Sequence, residues 1–301
     1  MAKFNVADPR NETLLVYINN ELLPRKEAKI SVLDSLVQGG DGVWEGLRVY
    51  QGKVFQLYEH IERMINSAHA LAFKNIPTKD EISNAVFKTL KENNIEDGVH
   101  IRMTLSRGLK ATSGMNPDLN QFGCTLIILP EYKGLVYGDE GLKLVTSSIR
   151  RNPPQCLDSK IHHNNLLNNI LAKIEANVAE ADDAVMLDVD GFISETNATN
   201  IFFIKNSKLF TPFATSCLPG LTRQKVLEIS EANGIATQEK QVSIAEMYSA
   251  DECFTTGTMG ALAWVKEIDG RIISDGRKGP FTENLSEYYF KAVENEAVPI
   301  K

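Results

Sequence analysis

Four segments carry the residues that could do chemistry: DSKIHHNN at 158–165, ISETNATN at 193–200, SCLPGLTR at 216–223 and FTTGTMG at 254–260. Each sets polar side chains against the end of an apolar run. A site assembled from several such loops is a common way to hold a small ligand. In LPGLTR, Pro219 and Gly220 make a tight turn and Thr222 opens a helix, so backbone N–H groups and a hydroxyl converge where a phosphate would fit. An ordinary helix cap is the plainer alternative. Glu195 follows an apolar strand and precedes Asn197, Thr199 and Asn200. A carboxylate there could hold a cationic ring nitrogen, or it could be a hairpin-end carboxylate in water. His162 and His163 adjoin, so they cannot share one helical face, and neither has a carboxylate four residues on. No metal pair is expected from them.

The rest of the chain must position these segments. LLVYIN (14–19) reads as a strand, with a second short strand near EAKISVL. VWEGLRVYQGKVFQL reads as two strands meeting at a Gln51-Gly52 turn. YEHIERMINSAHALAF carries apolar residues at helical spacing. Thr78 and Glu81 make a capping-box pattern before EISNAVFKTLKENN. VHIRMTLSRG, CTLIILPEY and LKLVTSSIRR (142–151) read as strands, and HNNLLNNILAKIEANVAEA as a long helix. Hairpins follow at Asp190-Gly191 and Asn206-Ser207. LTRQKVLEISEANG is a helix stopped by Gly234, ECFTTGT a strand, and WVKEIDGRII a last hairpin. The pattern predicts an α+β domain over 1–132, a connector at 133–141 and a second α+β domain over 142–301.

Composition narrows the class. With 301 residues, 43% hydrophobic and 24% charged, the chain is that of an ordinary globular protein. A net charge of −7 argues against a nucleic-acid surface, which needs clustered Lys and Arg. No run approaches the length of a membrane helix, and the N-terminus shows no apolar signal region. Cys124, Cys156, Cys217 and Cys253 are far apart and form no CxxC pair, so reduced thiols in a cytoplasmic protein are expected.

Taken together, ISETNATNIFFIKNSKLFTPFATSCLPGLTR resembles the signature of class IV aminotransferases: Glu195, Asn200, the Ile201-Phe202 pair, Thr211, then Gly220-Leu221-Thr222-Arg223. GVWEGLRVY is similar to the family's FEGIRxY segment, EHIERMINSA to its phosphate-arginine helix and FTTGT to its SGT loop. The resemblance implies the two-domain α+β fold of type IV pyridoxal-phosphate enzymes, related to D-amino-acid aminotransferase. It also implies a cofactor, pyridoxal 5'-phosphate, between the domains, and a homodimer or larger homo-oligomer.

It further implies roles. Lys160 would hold the cofactor as a Schiff base and move the substrate's α-proton. Glu195 would pair with the pyridinium nitrogen, with Asn200 beside it. Arg63, Leu221, Thr222 and Thr258 would bind the phosphate. Trp44, Arg48, Arg102, Arg107, Met259 and Gly260 would meet the substrate. The segment KIHHNNLL departs from relatives that carry a tyrosine there, so Asn164 or Asn165 would stand in for it. One ungapped placement puts His162 at the lysine position, and a histidine forms no lasting Schiff base. Asn197 also departs from the small residue usual two after the glutamate.

EGLR and HIRM resemble the branched-chain enzymes, making branched-chain L-amino acids and a 2-oxo acid such as 2-oxoglutarate the first expectation. SRGLKATSG also resembles D-amino-acid and (R)-amine transaminases. An aminodeoxychorismate-lyase type of activity and a catalytically silent protein on the same fold stay open.

Overall fold

The computed structural model describes residues 8–300, which divide into two compact units. One comprises residues 8–134 together with Ile161–Asn165 and residues 293–300. The other comprises Leu135–Lys160 and Leu166–Ala292. Each is described by itself.

The first unit is built on β1 (Leu15–Ile18), β2 (Glu21–Pro24), β3 (Gly42–Tyr50), β4 (Lys53–Val54), β5 (Val99–Ser106) and β6 (Thr125–Tyr132), with the short α1 (Ser35–Gly39) and the longer α2 (Leu57–Ala70) and α3 (Lys79–Glu92). The sheet is antiparallel and centred on β3, β5 and β6. The 3.6-residue spacing turns Leu57, Ile61, Met64 and Ala68 of α2 to one face. They pack in a fully buried core with Val43, Leu47 and Val49 of β3. The capping box forms as expected: Glu81 N donates to Thr78 Oγ1 at 3.2 Å, and Thr78 N donates to the Glu81 carboxylate at 2.7 Å.

The second unit holds β7 (Leu142–Thr146), β8 (Asp183–Leu187), β9 (Ile193–Thr196), β10 (Asn200–Lys205), β11 (Lys208–Pro212), β12 (Thr237–Lys240), β13 (Glu252–Gly257), β14 (Ala261–Ile268) and β15 (Arg271–Ile272), with α4 (Leu167–Val178), α5 (Leu221–Ala232), α6 (Ile244–Tyr248) and most of α7 (Pro280–Glu296). The sheet runs β12-β11-β10-β13-β14-β7-β8-β9 and is mixed: β7 runs parallel to both β8 and β14, and β11 to β12. The β10–β11 hairpin turns through Asn206 and Ser207, both at positive φ, the geometry of a two-residue turn that matches strand twist. In the first unit a last strand, β16 (Val298–Pro299), pairs with β4.

Three expectations shift. The second short strand lies at Glu21–Pro24, not in 27–33. The strand expected over 142–151 stops at Thr146, because Ser147 and Ser148 turn aside to bond the Glu175 carboxylate. The helix expected from 163 begins at Leu167. Residues before it are held elsewhere: Trp44 N donates to His162 O at 2.9 Å and Asn164 N to Gly42 O at 2.8 Å, stitching Ile161–Asn165 to β3. Neither α6 nor α7 is among the elements expected above, although Ser243 and Glu246 form a capping box at the start of α6.

Candidate active site

In the second unit, β9 delivers Glu195 to a buried position. One oxygen accepts Arg151 Nε at 2.6 Å; the other is met by Asn200 Nδ2 at 3.3 Å, a long contact. Burial pushes the Glu195 carboxyl above its ordinary pKa, and Arg151 opposes but does not reverse that. Asn200 is the junction of the site. It donates to Leu218 O at 2.9 Å and accepts from Gly220 N at 3.2 Å, tying the Glu195 strand to the start of α5. A Cβ on Gly220 would collide with Asn200 Oδ1, so only glycine admits this approach. Gly220 is the N-cap residue of α5 and offers no side-chain cap, leaving the helix to begin at Leu221 and Thr222 with first-turn N–H groups that no intrahelical carbonyl can satisfy.

The β13–β14 turn adds Thr258, Met259 and Gly260, closed by Gly260 N donating to Gly257 O. Met259 O accepts Val136 N at 3.2 Å, and the ring of Tyr137 lies where a Cβ on Gly260 would go. Thr256 stands opposite Asn200 in the ladder, so the two side chains share a face. The Thr256 hydroxyl is buried without a hydrogen-bond partner among the described residues. Lys160 is exposed in a loop, its N–H donating to Asp158 Oδ1. Burial pushes the Cys217 thiol far up; the Glu195 charge adds to this, while Arg223, Arg151 and Lys160 oppose it. Lys160 therefore acts on the same sulfur as Glu195, and Cys217 is no nucleophile.

In the first unit, β3 points Glu45 inward, where it is fully buried. It accepts Arg63 Nε and Nη2 at 2.8 and 2.7 Å, lies 2.7 Å from His60 Nδ1, and comes within ion-pair distance, 3.1 Å, of His162 Nδ1. Burial works against the Glu45 charge, but His162 and Arg63 more than compensate and hold the carboxyl well below its ordinary range. On the other face of β3 and β5 lie Trp44, Gly46 and Arg48 with His100 and Arg102. Arg102 stacks over the Trp44 ring at 4.0 Å, and Trp44 also packs on His162. His100 is buried with no partner for either ring nitrogen among the described residues. Burial, helped by Lys133, Arg102 and Arg48, pushes it down to about 3, so it is a neutral ring.

Residues 42–268 match the family Amino-transferase class IV. The chain belongs to the class IV aminotransferases. It is 55% identical to "Branched-chain-amino-acid aminotransferase-like protein 2" of Arabidopsis thaliana over 97% of this chain and 52% of that protein. The chain thus spans about half the length of that curated relative. It is 38% identical to "Putative branched-chain-amino-acid aminotransferase" of Methanocaldococcus jannaschii, covering 91% of this chain and 94% of that one. The T.th. branched-chain amino acid aminotransferase complexed with N-(5'-phosphopyridoxyl)-L-glutamate superposes with a TM-score of 0.90 at 30% identity, over 96% of this chain and 99% of that one.

For this class IV aminotransferase, the second unit gathers Glu195, Asn200, Leu221 and Thr222 around one junction, and a cationic ring nitrogen and an anionic phosphate are the groups that junction suits. Trp44, Arg48 and Arg102 share a sheet face in the first unit, and Arg63 lies on α2 with two of its nitrogens on Glu45. Arg107 is placed differently. Its fork grips Asp41 at 2.6 and 3.1 Å and the carbonyls of Leu71 and Ala72, and it stacks on Phe73. That is a loop clasp. Asn164 and Asn165 belong to the stitched segment, and His162 to the Glu45 cluster. Sequence reasoning missed Arg151, Thr256 and Glu45. For Arg151 no spacing signal existed. Glu45 could have been found, since a charged residue at an inward position of an apolar strand requires partners.

Proposed function

We propose that this class IV aminotransferase uses pyridoxal 5'-phosphate to move an amino group between a branched-chain L-amino acid and a 2-oxo acid such as 2-oxoglutarate. The single observation that carries the cofactor assignment is Glu195: a buried carboxylate with one oxygen on Arg151 at 2.6 Å and the other 3.3 Å from Asn200 Nδ2, still above its ordinary pKa with the Leu218 N–H acting on it. The second oxygen suits a protonated ring nitrogen. When bound, pyridoxal phosphate supplies an aldehyde and a protonated aromatic ring that withdraws electrons.

The chain's own residues do the rest. Lys160 Nζ is assigned the covalent hold on the cofactor and proton transfer at the substrate's α-carbon. Glu195 keeps a proton on the ring nitrogen, and Asn200 and Arg151 keep Glu195 in place. The first-turn N–H groups at Leu221 and Thr222, the hydroxyls of Thr256 and Thr258, and the Arg63 guanidinium are assigned to the phosphate. Trp44, Arg48 and Arg102, with the Met259-Gly260 turn, are assigned to the substrate. The names of the similar proteins above favour branched-chain substrates.

A second copy of the chain is proposed to cover α4, whose Leu167, Ile170, Leu171, Ile174 and Val178 form an exposed apolar stripe. Leu171→Glu should then lower the mass measured by light scattering. The four free thiols are in keeping with a cytoplasmic setting, and no helix among the described residues is long and apolar enough to cross a membrane.

The deciding experiment is the absorption spectrum of the protein with pyridoxal phosphate before and after borohydride, followed by peptide mapping. A visible band that reduction fixes on Lys160 is expected. Transamination is then followed with L-Leu, L-Glu, D-Ala and (R)-amines, and pyruvate is measured without an acceptor. Attachment elsewhere, or no band, overturns the Lys160 assignment. Turnover of D-Ala or (R)-amines above L-Leu overturns the substrate.

A further inference from the structure

Glu45 gathers side chains from two separate stretches of sequence onto one buried carboxylate. His60 and Arg63 come from α2, and His162 comes from the segment two residues past Lys160. We infer that Glu45 is a positioning residue: it sets the Arg63 guanidinium for the cofactor's phosphate and, through His162, fixes the chain that follows Lys160. This rests on the assignment of Arg63 and Lys160 given above.

A guanidinium is a planar fork, and its usefulness to a phosphate depends on where its plane lies. Both carboxylate oxygens engage Arg63, one at Nε and one at Nη2, so the plane of the guanidinium follows from Glu45. Glu45 is itself immobile. It is fully buried on a central strand, and His60 takes a further share of the same oxygen. An arginine side chain otherwise loses substantial rotamer freedom on binding a ligand; here that loss has already been met in folding.

His162 receives the same treatment. Its carbonyl accepts Trp44 N, its N–H donates to Ser67 Oγ at 3.1 Å, and its ring lies between the Trp44 ring and Glu45 Oε1. The backbone is thus pinned at the residue by Trp44 and Ser67, and the ring is packed within 3.1 Å of the carboxylate. The carboxylate that holds the arginine thus also lies against a loop residue two positions from Lys160.

Charge alone predicts the reverse of this inference. Glu45 cancels much of the Arg63 charge, so on charge alone its neutral replacement would bind phosphate more tightly. Positioning predicts weaker binding. The two are separated by equilibrium titration of the apo protein with pyridoxal phosphate and, in parallel, with pyridoxal, which lacks the phosphate. Glu45→Gln is expected to weaken pyridoxal phosphate by about tenfold or more and to weaken pyridoxal far less. Equal or tighter binding of pyridoxal phosphate by Glu45→Gln overturns the inference.

Arg63→Ala tests the underlying assignment. If it leaves pyridoxal phosphate binding unchanged, Arg63 is not a phosphate ligand, and the assignment fails whatever Glu45 does. If Arg63→Ala weakens binding and Glu45→Gln does not, the assignment stands and the inference falls. Should Glu45→Gln not fold, Glu45→Asp keeps the charge and withdraws the carboxylate by one methylene. It must weaken pyridoxal phosphate, and wild-type affinity in it overturns the inference. For the second half, His162→Gln is expected to move the pH midpoint of the bound cofactor's visible band by roughly half a unit or more. An unmoved midpoint removes that half.

Discussion

Glu45 and Glu195 are both buried carboxylates at functional positions, yet their surroundings treat them oppositely. Glu45 meets Arg63, His60 and His162 and is held well below the ordinary carboxylate range. Glu195 meets one arginine, a distant amide and the Leu218 N–H, and burial still leaves it above that range. Desolvation acts on both in the same direction; at Glu45 the pull of His162 and Arg63 outweighs it, and at Glu195 the pull of Arg151 does not. The lesson is one of remaining capacity. A carboxylate whose charge is already met by several partners is a fastener. One that is still undersupplied with positive charge can take a further cation.

The comparison is broken most directly through stability. Glu45→Ala leaves Arg63 and two imidazoles around an apolar gap, and should destabilise the apo protein by about 3–5 kcal/mol in urea titration. Glu195→Gln, in contrast, should cost function: kcat/KM falls by about 10²–10³-fold, with a smaller loss of apo stability than at Glu45. If Glu195→Gln destabilises as much as Glu45→Ala, the two carboxylates are the same kind of group and the contrast fails.

Acid sharpens it. The folded pKa of Glu45 lies below its unfolded value, so its stabilisation is complete above about 4.5 and is lost as pH falls through the folded value. His162 and His100 are also depressed, the first by burial against the pull of Glu45 and the second to about 3. Unfolded, both take up protons below about 6.5, which favours unfolding. All three therefore weaken the first unit on acidification. Glu195 has the opposite sign, since its raised pKa means that protonation relieves a cost of folding. Amide exchange should lose protection over 42–70 before 183–200 as pH falls from about 7 to about 5, the window in which the unfolded imidazoles charge. The reverse order would contradict the pairing described here.

A smaller effect tests the junction beside Glu195. Gly220 has an ordinary φ of −63°, so Gly220→Ala brings no backbone strain and acts only through the collision with Asn200. A loss of about 1–3 kcal/mol, with weakened cofactor binding, is expected. Unchanged binding would show that Asn200 is not the tie between Glu195 and α5.

Much of this was legible in the sequence, and the reasons differ by residue. The hairpins at 190–191 and 206–207, the Thr78 capping box and the α5 start announce themselves through local turn and cap chemistry. So does the Glu195–Gly220 signature, since it lies within one continuous stretch. Partners supplied from elsewhere were not legible. Arg151 reaches Glu195 across 44 residues, and Glu45 reaches His162 from a segment that reads as the start of a helix. That segment failed as a helix because its backbone bonds go to β3, a tertiary choice that propensity cannot show.

Arg107 gives the finest test, because it resembles Arg102 in type but not in employment. Arg102 forms no ion pair among the described residues and lies stacked on Trp44. Arg107 is engaged with Asp41 and two carbonyls, and its side chain and that of Asp41 are 11% and 28% exposed. A partly solvated pair of this kind contributes little, and the carbonyl bonds add modestly. Arg107→Ala should therefore lower stability by about 1–2 kcal/mol and leave KM for both substrates unchanged, whereas Arg102→Ala should raise KM for at least one of them. A raised KM in Arg107→Ala at unchanged stability would return Arg107 to the substrate and show that its bonds to Asp41 open when one binds.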